Sequence, residues 1–247
     1  LLVSIADVSE YVLEDSFLDK ESFKRWNSTY LVDRVIPMLP EKLSNDLCSL
    51  NPNTKKLTLT AEIILDKSWK IISKRVYKSL IKSNFRLTYK EVQLIIDDEM
   101  KLWDKLMFWW NITQELINKM KLSFELKEII SKNKQKLWVL DFNFSETKII
   151  LDENWHPVDI KKYDRHESNK IIEEFMILAN QCVWELFSDI PFLYRVHPVP
   201  NDEGIEKLRN ILKIFWIVLP YKEITPLLIS KVLNEIKLSS KEKLLSK

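Results

Sequence analysis

Apolar and polar residues along this chain fall into two rhythms, and the points where one gives way to the other mark the predicted elements. Leu2–Asp7 and Tyr11–Leu13 read as short strands around a turn at Val8–Glu10. Asp19–Arg25 reads as a short helix with acidic residues in its first turn. Lys55–Asp66 places Leu57, Leu59, Ala61, Ile63 and Leu65 at every second position, and Lys70–Leu80 follows as a hairpin partner. Thr88-Tyr89-Lys90-Glu91 has the form of a capping box and predicts a helix through Asp98. After a loop at Lys101–Asn111, Leu116, Ile117, Met120, Phe124, Leu126, Ile129 and Ile130 follow the helical period, predicting a long helix over Thr113–Lys136. A second hairpin is predicted within Val139–Ile160, then a helix over Ser168–Ser188, a loop at Ile190–Pro200 and a helix from Asp202 to Phe215. Thr225-Pro226 supplies a cap and a first-turn proline for a last helix. The Lys/Ser-rich stretch 237–247 reads as a frayed tail. The fold class is α+β: mixed β-sheet and hairpins in the N-terminal half with helices packed on them, one domain over residues 1–236.

Thr29–Asn53 obeys neither rhythm. Tyr30 and Leu31 end a strand, Pro37 and Pro40 bracket an apolar Met38-Leu39 plug, and Glu41–Asp46 makes one helical turn before an Asn-Pro-Asn exit. Long ordered loops inside compact domains are usually functional. The residues give no chemistry for it at this level.

Composition narrows the classes. A chain of 247 residues can bury a sizeable core, and 46% hydrophobic with 30% charged residues describes a globular protein. No apolar run reaches the ~18 residues a membrane span needs. The opening segment is cut short by Asp7, so it is not a signal peptide. A start on Leu within a strand-like run is expected of a piece of something longer. Two distant cysteines, Cys48 and Cys182, argue against a disulfide staple and make a reducing cytoplasm the default. A net charge of +2 neither supports nor excludes nucleic acid.

Glycine is the abnormal quantity. A usual share of ~7% predicts roughly 17, but the chain has 1, beside 9 tryptophans. Tryptophan occurs where turns call for glycine, as in Asp66-Lys67-Ser68-Trp69-Lys70 and Asp152-Glu153-Asn154-Trp155-His156. A bulky aromatic resists the positive φ such turns need. The expectation is that most of these tryptophans are glycines in the living protein, through an alternative genetic code in which UGA means glycine. A genuinely tryptophan-rich chain is the competing reading.

Candidate chemistry is thin. The three histidines and two cysteines have no zinc spacing, and neither a phosphate loop nor a nucleophile elbow is present. On the Ser168–Ser188 helix, Ile171, Ile172, Phe175, Leu178, Ala179, Cys182, Val183 and Leu186 form one apolar arc. Glu173 falls opposite it, near Asn180 and Ile177 on a mixed face, where a carboxylate could meet a ligand or simply be solvated. Glu174 reads as a rim charge. Tyr30 and Phe142 could stack on bases, although composition alone makes both of them core aromatics.

Six segments, in order, carry a resemblance: VSIADVSEYV (Val3–Val12), LDKESFKRWNSTYLVDRVIPMLPEKLSNDLCSLNPN (Leu18–Asn53), NFRLTYKEVQ (Asn84–Gln93), VLDFNFSE (Val139–Glu146), IIEEFMILAN (Ile171–Asn180) and LYRVHPVP (Leu193–Pro200). Together they resemble the catalytic RNB domain of the ribonuclease II and ribonuclease R exoribonucleases. The resemblance implies a processive 3′→5′ hydrolase of single-stranded RNA that releases nucleoside 5′-monophosphates and uses Mg²⁺ held by clustered aspartates. It implies that Tyr30 stacks near the 3′-terminal bases and sets the final product length, that Phe142 stacks on the other side, and that Glu173 contacts the terminal nucleotide. These three are the expected RNA-binding residues. It also supports the glycine expectation, because the family carries small residues where this chain has Trp26, Trp138 and Trp155.

The departures weigh equally. The family's aspartate cluster, D-x5-D-x-D-D-A in form, and its catalytic arginine are expected to lie outside this chain, so no catalytic or metal-ligating residue is assigned. Ser4 and Glu10 stand where the family often has histidine, and Asp7 is read as structural. The polypeptide is expected to be a monomeric, cytoplasmic fragment of an exoribonuclease, inactive as it stands and binding no Mg²⁺ alone. The alternative is a non-catalytic RNA-binding or regulatory remnant.

Overall fold

The computed structural model describes the chain except residues 109, 137–146, 163–164, 195, 197, 199, 215, 221–223 and 238–247. Two compact units are present: Leu1–Ile129 with Glu146–Pro191, and Ile130–Ser145 with Phe192–Lys247. The division falls inside one long helix.

The larger unit is built on a three-stranded antiparallel sheet in the order β1 (Leu2–Ala6), β4 (Lys55–Leu65), β5 (Ile71–Lys82). Alternation in β4 predicts the strand, and its pairing with β5 runs unbroken from Lys55↔Lys82 to Ile64↔Ser73 before a bulge. Both faces of β4 are used. Ala61 and Ile63 are buried on one, while Thr58 and Thr60 are buried on the other. Those hydroxyls are satisfied by Ser79 Oγ, at 2.8 Å from Thr58 and 2.6 Å from Thr60, and by Ser4 Oγ at 2.8 Å from Thr60. Buried hydroxyls need such partners, since an unmade hydrogen bond costs about 1–3 kcal/mol.

Helix α1 (Phe17–Arg25) is capped by Ser16, whose hydroxyl accepts the Asp19 N–H. The predicted strand at Tyr11–Leu13 does not form. Val8–Glu10 makes a 3-10 turn whose Val8 carbonyl takes both the Tyr11 and Val12 amides at 3.0 Å, leaving those donors nothing to give a neighbouring strand. A ribbon, β2 (Thr29–Tyr30) with β3 (Val35–Ile36), follows, and then a π-helical turn over Lys42–Leu47.

Helix α2 (Tyr89–Ile96) opens with the predicted capping box. Glu91 Oε2 accepts the Thr88 N–H at 2.7 Å, and Thr88 Oγ1 accepts the Glu91 N–H at 3.2 Å. Glu91 Oε1 also takes the Met107 amide, tying the 101–111 loop to the helix. Burial raises the Glu91 carboxyl, but the bonds from Met107 and Thr88 outweigh it and hold it below the usual range. Ile95, Leu106, Ile112 and Leu116 form the core here, with Leu116 supplied by α3 (Gln114–Lys136). Hairpin β6 (Thr147–Leu151) and β7 (Pro157–Lys162) precedes α4 (Glu167–Leu186).

Helix α4 packs on the β1-β4-β5 sheet and on α2 through Ile171, Leu178, Ala179 and Cys182. Its start is fixed by Ser168, whose N–H donates to Gln93 Oε1 at 3.1 Å and whose hydroxyl donates to the Tyr89 carbonyl at 2.7 Å. Lys127 of α3 is buried and bridges Glu128 to Glu167. Desolvation lowers the Lys127 ammonium, but Glu128 and Glu167 overcome that and raise it.

In the smaller unit, α5 (Asp202–Ile214) and α6 (Pro226–Lys237) supply Leu212 and Val232 to a core with Ile217 and Leu219. Arg209 is buried there and donates to the Leu219 and Pro220 carbonyls, each at 3.2 Å. Among the described residues, no helix is long and apolar enough to cross a membrane.

Candidate functional site

The β2–β3 ribbon is only two residue pairs long, Thr29↔Ile36 and Tyr30↔Val35, and Leu31 N–H closes its turn on the Arg34 carbonyl at 2.8 Å. Clamps at its base hold it to the end of α1. Met38 N–H donates to Ser28 Oγ at 2.9 Å, and the Arg25 guanidinium donates to the Pro37 carbonyl at 3.2 Å. The pairing stops there because the Met38 N–H, the next donor along the ladder, is taken by the Ser28 hydroxyl and not by a backbone carbonyl.

The π-helical turn beyond is anchored by buried Leu43 and by Lys56 of β4. The buried Lys56 ammonium donates to the Asp46 carbonyl and lies 3.6 Å from its carboxylate, which also pairs with Lys42 at 2.6 Å. The Lys42 hydrogen bond holds the Asp46 carboxyl below the usual carboxylate range. Lys56, Ser28 and Arg25 are the positioning residues that sequence reading did not single out. Lys56 shares the polar rhythm of β4 with Thr58 and Thr60, and nothing in that rhythm sets it apart.

Tyr30 is 78% exposed, so it is not the core aromatic that composition alone makes it. A two-stranded ribbon this short has too little surface to bury a face of its own. The phenol ring makes no hydrogen bond or ring contact among the described residues. Exposed Leu31, Val32, Val35 and Ile36 surround it, giving an apolar surface of the kind that marks a binding site.

Glu173 projects from the second turn of α4, about half exposed, and pairs with the Arg165 guanidinium. The face around it is mixed as the spacing predicts: Asn180 is exposed, Ile177 half-buried and Trp184 exposed. Ile172 and Leu186, placed in the apolar arc, are instead exposed. Glu174 is not a rim charge, because it is half-buried with Oε2 out of reach of solvent.

Asp7 is buried, accepts from the Ser9 hydroxyl and lies 3.8 Å from the Lys78 ammonium, an arrangement that suits a structural part. Phe142 lies outside the described residues. No bond joins Tyr30 to Glu173 among the described residues. Cys48 and Cys182 are free, and burial pushes both thiols up, away from nucleophilic reactivity. Among the described residues, no group of three or more His, Cys, Asp or Glu side chains could hold a metal ion. Tyr30 offers an open aromatic face that suits a flat ligand, and Glu173, on a separate element, offers a carboxylate that can accept from hydroxyls.

Known proteins share this sequence and fold. The chain is 41% identical to ribonuclease R of Thermotoga maritima over 239 residues, covering 95% of this chain and 32% of that protein. It superposes on Mycoplasma genitalium ribonuclease R in complex with ribose-methylated single-stranded RNA, with a TM-score of 0.88 and 31% identity, over 99% of this chain and 38% of the other. The same ribonuclease in complex with double-stranded RNA matches with a TM-score of 0.89 at 31% identity, over 99% of this chain and 43% of the other. The chain thus spans about a third of the curated relative's length. The RNB domain model matches residues 1–247, and the mixed α+β architecture, the sequence likeness and the superposition agree with it: the chain belongs to the RNB domain family.

Proposed function

We propose that this chain forms part of the RNA-holding wall of a 3′→5′ exoribonuclease that degrades single-stranded RNA to nucleoside 5′-monophosphates. The observation that carries the reading is Tyr30, a ring open to solvent at the end of a ribbon clamped on both sides. Every base offers a π face, and stacking on an aromatic side chain contributes about 1–3 kcal/mol per base. Likeness across nearly the whole chain to a ribonuclease R solved with single-stranded RNA supports the same reading.

Tyr30 stacks near the 3′-terminal bases, and Glu173 accepts from hydroxyls of the terminal nucleotide once Arg165 releases or shares it. Phe142 stacks from the other side. Mg²⁺, which the family resemblance implies, would supply activation of water and charge stabilisation at the leaving oxygen. No residue of this chain is assigned to hold it.

The test is an assay of the natural full-length gene product on 5′-labelled single-stranded RNA. Stepwise shortening from the 3′ end, with release of nucleoside monophosphates, is expected. RNA left uncut but bound would favour the non-catalytic remnant. Cleavage of circular RNA would overturn the exonucleolytic reading.

A further inference from the structure

Eight residues other than glycine have φ between 60° and 73° among the described residues. Three are Asp15, Asn53 and Asp98, whose short polar side chains tolerate the left-handed region. The other five are all tryptophans: Trp26, Trp69, Trp103, Trp155 and Trp216. The one glycine, Gly204, sits in the first turn of α5 and has no such φ.

Each of four tryptophans occupies a place that backbone geometry reserves for glycine. Trp26 follows α1 with φ 65° and ψ −41°: its N–H donates to the Ser22 carbonyl at 2.9 Å, and the Asn27 N–H turns back onto the Arg25 carbonyl at 2.7 Å, a tight three-residue turn that strains any residue with a side chain. Trp216 follows α5 with a paired closure: its N–H donates to Lys213 O, and the Ile217 N–H donates to Leu212 O, both at 3.0 Å. That is the Schellman arrangement with tryptophan at its glycine position.

Trp69 and Trp155 hold the same position in two separate hairpins. In the first, Asp66 N–H donates to Lys70 O at 2.9 Å, Trp69 N–H to Asp66 O at 2.9 Å, and Asp66 Oδ1 accepts the Ser68 and Lys70 amides. In the second, Asp152 N–H donates to His156 O at 2.9 Å, Trp155 N–H to Asp152 O at 3.1 Å, and Asp152 Oδ1 accepts the Asn154 and His156 amides. This is a three-residue hairpin loop closed by a left-handed residue, a glycine position.

The indoles gain little: Trp69 is only half-buried, and Trp26 meets the exposed Phe23 ring edge-on at 6.0 Å. Trp26, Trp103, Trp155 and Trp216 are all exposed, although burial is what a large aromatic ordinarily contributes. Trp110 behaves differently. It has no positive φ, is half-buried against the Ile95–Leu116 core, and meets Phe85 edge-on at 5.5 Å.

We infer that positions 26, 69, 103, 155 and 216 are glycine in the functional protein, inserted at a codon that its source reads as glycine and that is rendered here as tryptophan. UGA is that codon, and a host that reads UGA as stop ends the chain after Arg25.

Tandem mass spectrometry of the protein purified from its own cells tests it, read beside the gene's codons. Glycine at all five positions, each encoded by UGA, is expected. Tryptophan in peptides spanning Trp69 and Trp155, or UGG codons at the five positions, would overturn it.

Discussion

The β2–β3 ribbon and helix α4 each carry one candidate contact residue, and they hold it in opposite ways. The ribbon has no core of its own: Tyr30, Val35 and Ile36 are all exposed, and its position is set at its base by the Met38 N–H donating to Ser28 Oγ and by Arg25 donating to the Pro37 carbonyl. Helix α4 is set by packing, with Ile171, Leu178, Ala179 and Cys182 buried, Ser168 bonded to α2, and Glu173 left on the far face beside Arg165. A stacking residue needs only an open ring on a steady backbone. A carboxylate contact needs a rigid platform and a partner that holds the side chain until the ligand arrives. The difference teaches that changes at Tyr30 should alter binding and leave stability alone, whereas changes under Glu173 should do the reverse.

The strongest way to break that contrast is Ile171→Ala. Removing the buried side chain under α4 is expected to destabilise the larger unit by about 2–5 kcal/mol in denaturant unfolding. A loss near zero would mean that α4 is not held by its apolar face. Next, Tyr30→Ala should weaken binding of single-stranded RNA by about 1–3 kcal/mol, with the unfolding midpoint unmoved because the ring is exposed. A fall in stability as large as that of Ile171→Ala would erase the distinction.

Glu91→Gln addresses the support beneath α4. Glu91 has a depressed folded pKa, so its contribution is complete above the unfolded value of about 4.3 and is lost as pH falls through the lower folded value. The variant should lose about 1 kcal/mol at neutral pH, as for a broken cap, and show a shallower acid decline than the parent. An unchanged acid profile would count against the Thr88–Glu91–Met107 arrangement.

The smallest change sharpens the ribbon side. In the polypeptide made with tryptophan at position 26, Trp26→Gly, four residues before Tyr30, should raise stability by about 1 kcal/mol, because a sparsely populated positive-φ backbone costs a non-glycine residue roughly 1–3 kcal/mol. The gain is read as a higher midpoint of thermal unfolding.

Much of this was legible from local chemistry. Leu57 to Leu65 announced β4, Thr88 and Glu91 announced α2, and Thr225-Pro226 announced α6, because each signal is complete within a few residues. Tyr11–Leu13 failed as a strand because a preceding carbonyl captured its amides, a choice invisible to apolar spacing. The exposure of Tyr30 was equally hidden, since an aromatic next to Leu31 and Val32 has the composition of a core and only the length of the ribbon decides otherwise. Glu173 was placed opposite the apolar arc by spacing, but its partner Arg165 lies before the helix, where no helical period reaches. The tryptophans were suspect from their number and turn positions, and their backbone angles then separated Trp110 from the five.

The central claim is that Tyr30 holds the RNA end, and the length of the final undegraded oligonucleotide tests it most directly. In the natural full-length protein, Tyr30→Ala should leave a longer end product than the parent on the same single-stranded RNA. An end product of unchanged length would contradict the account.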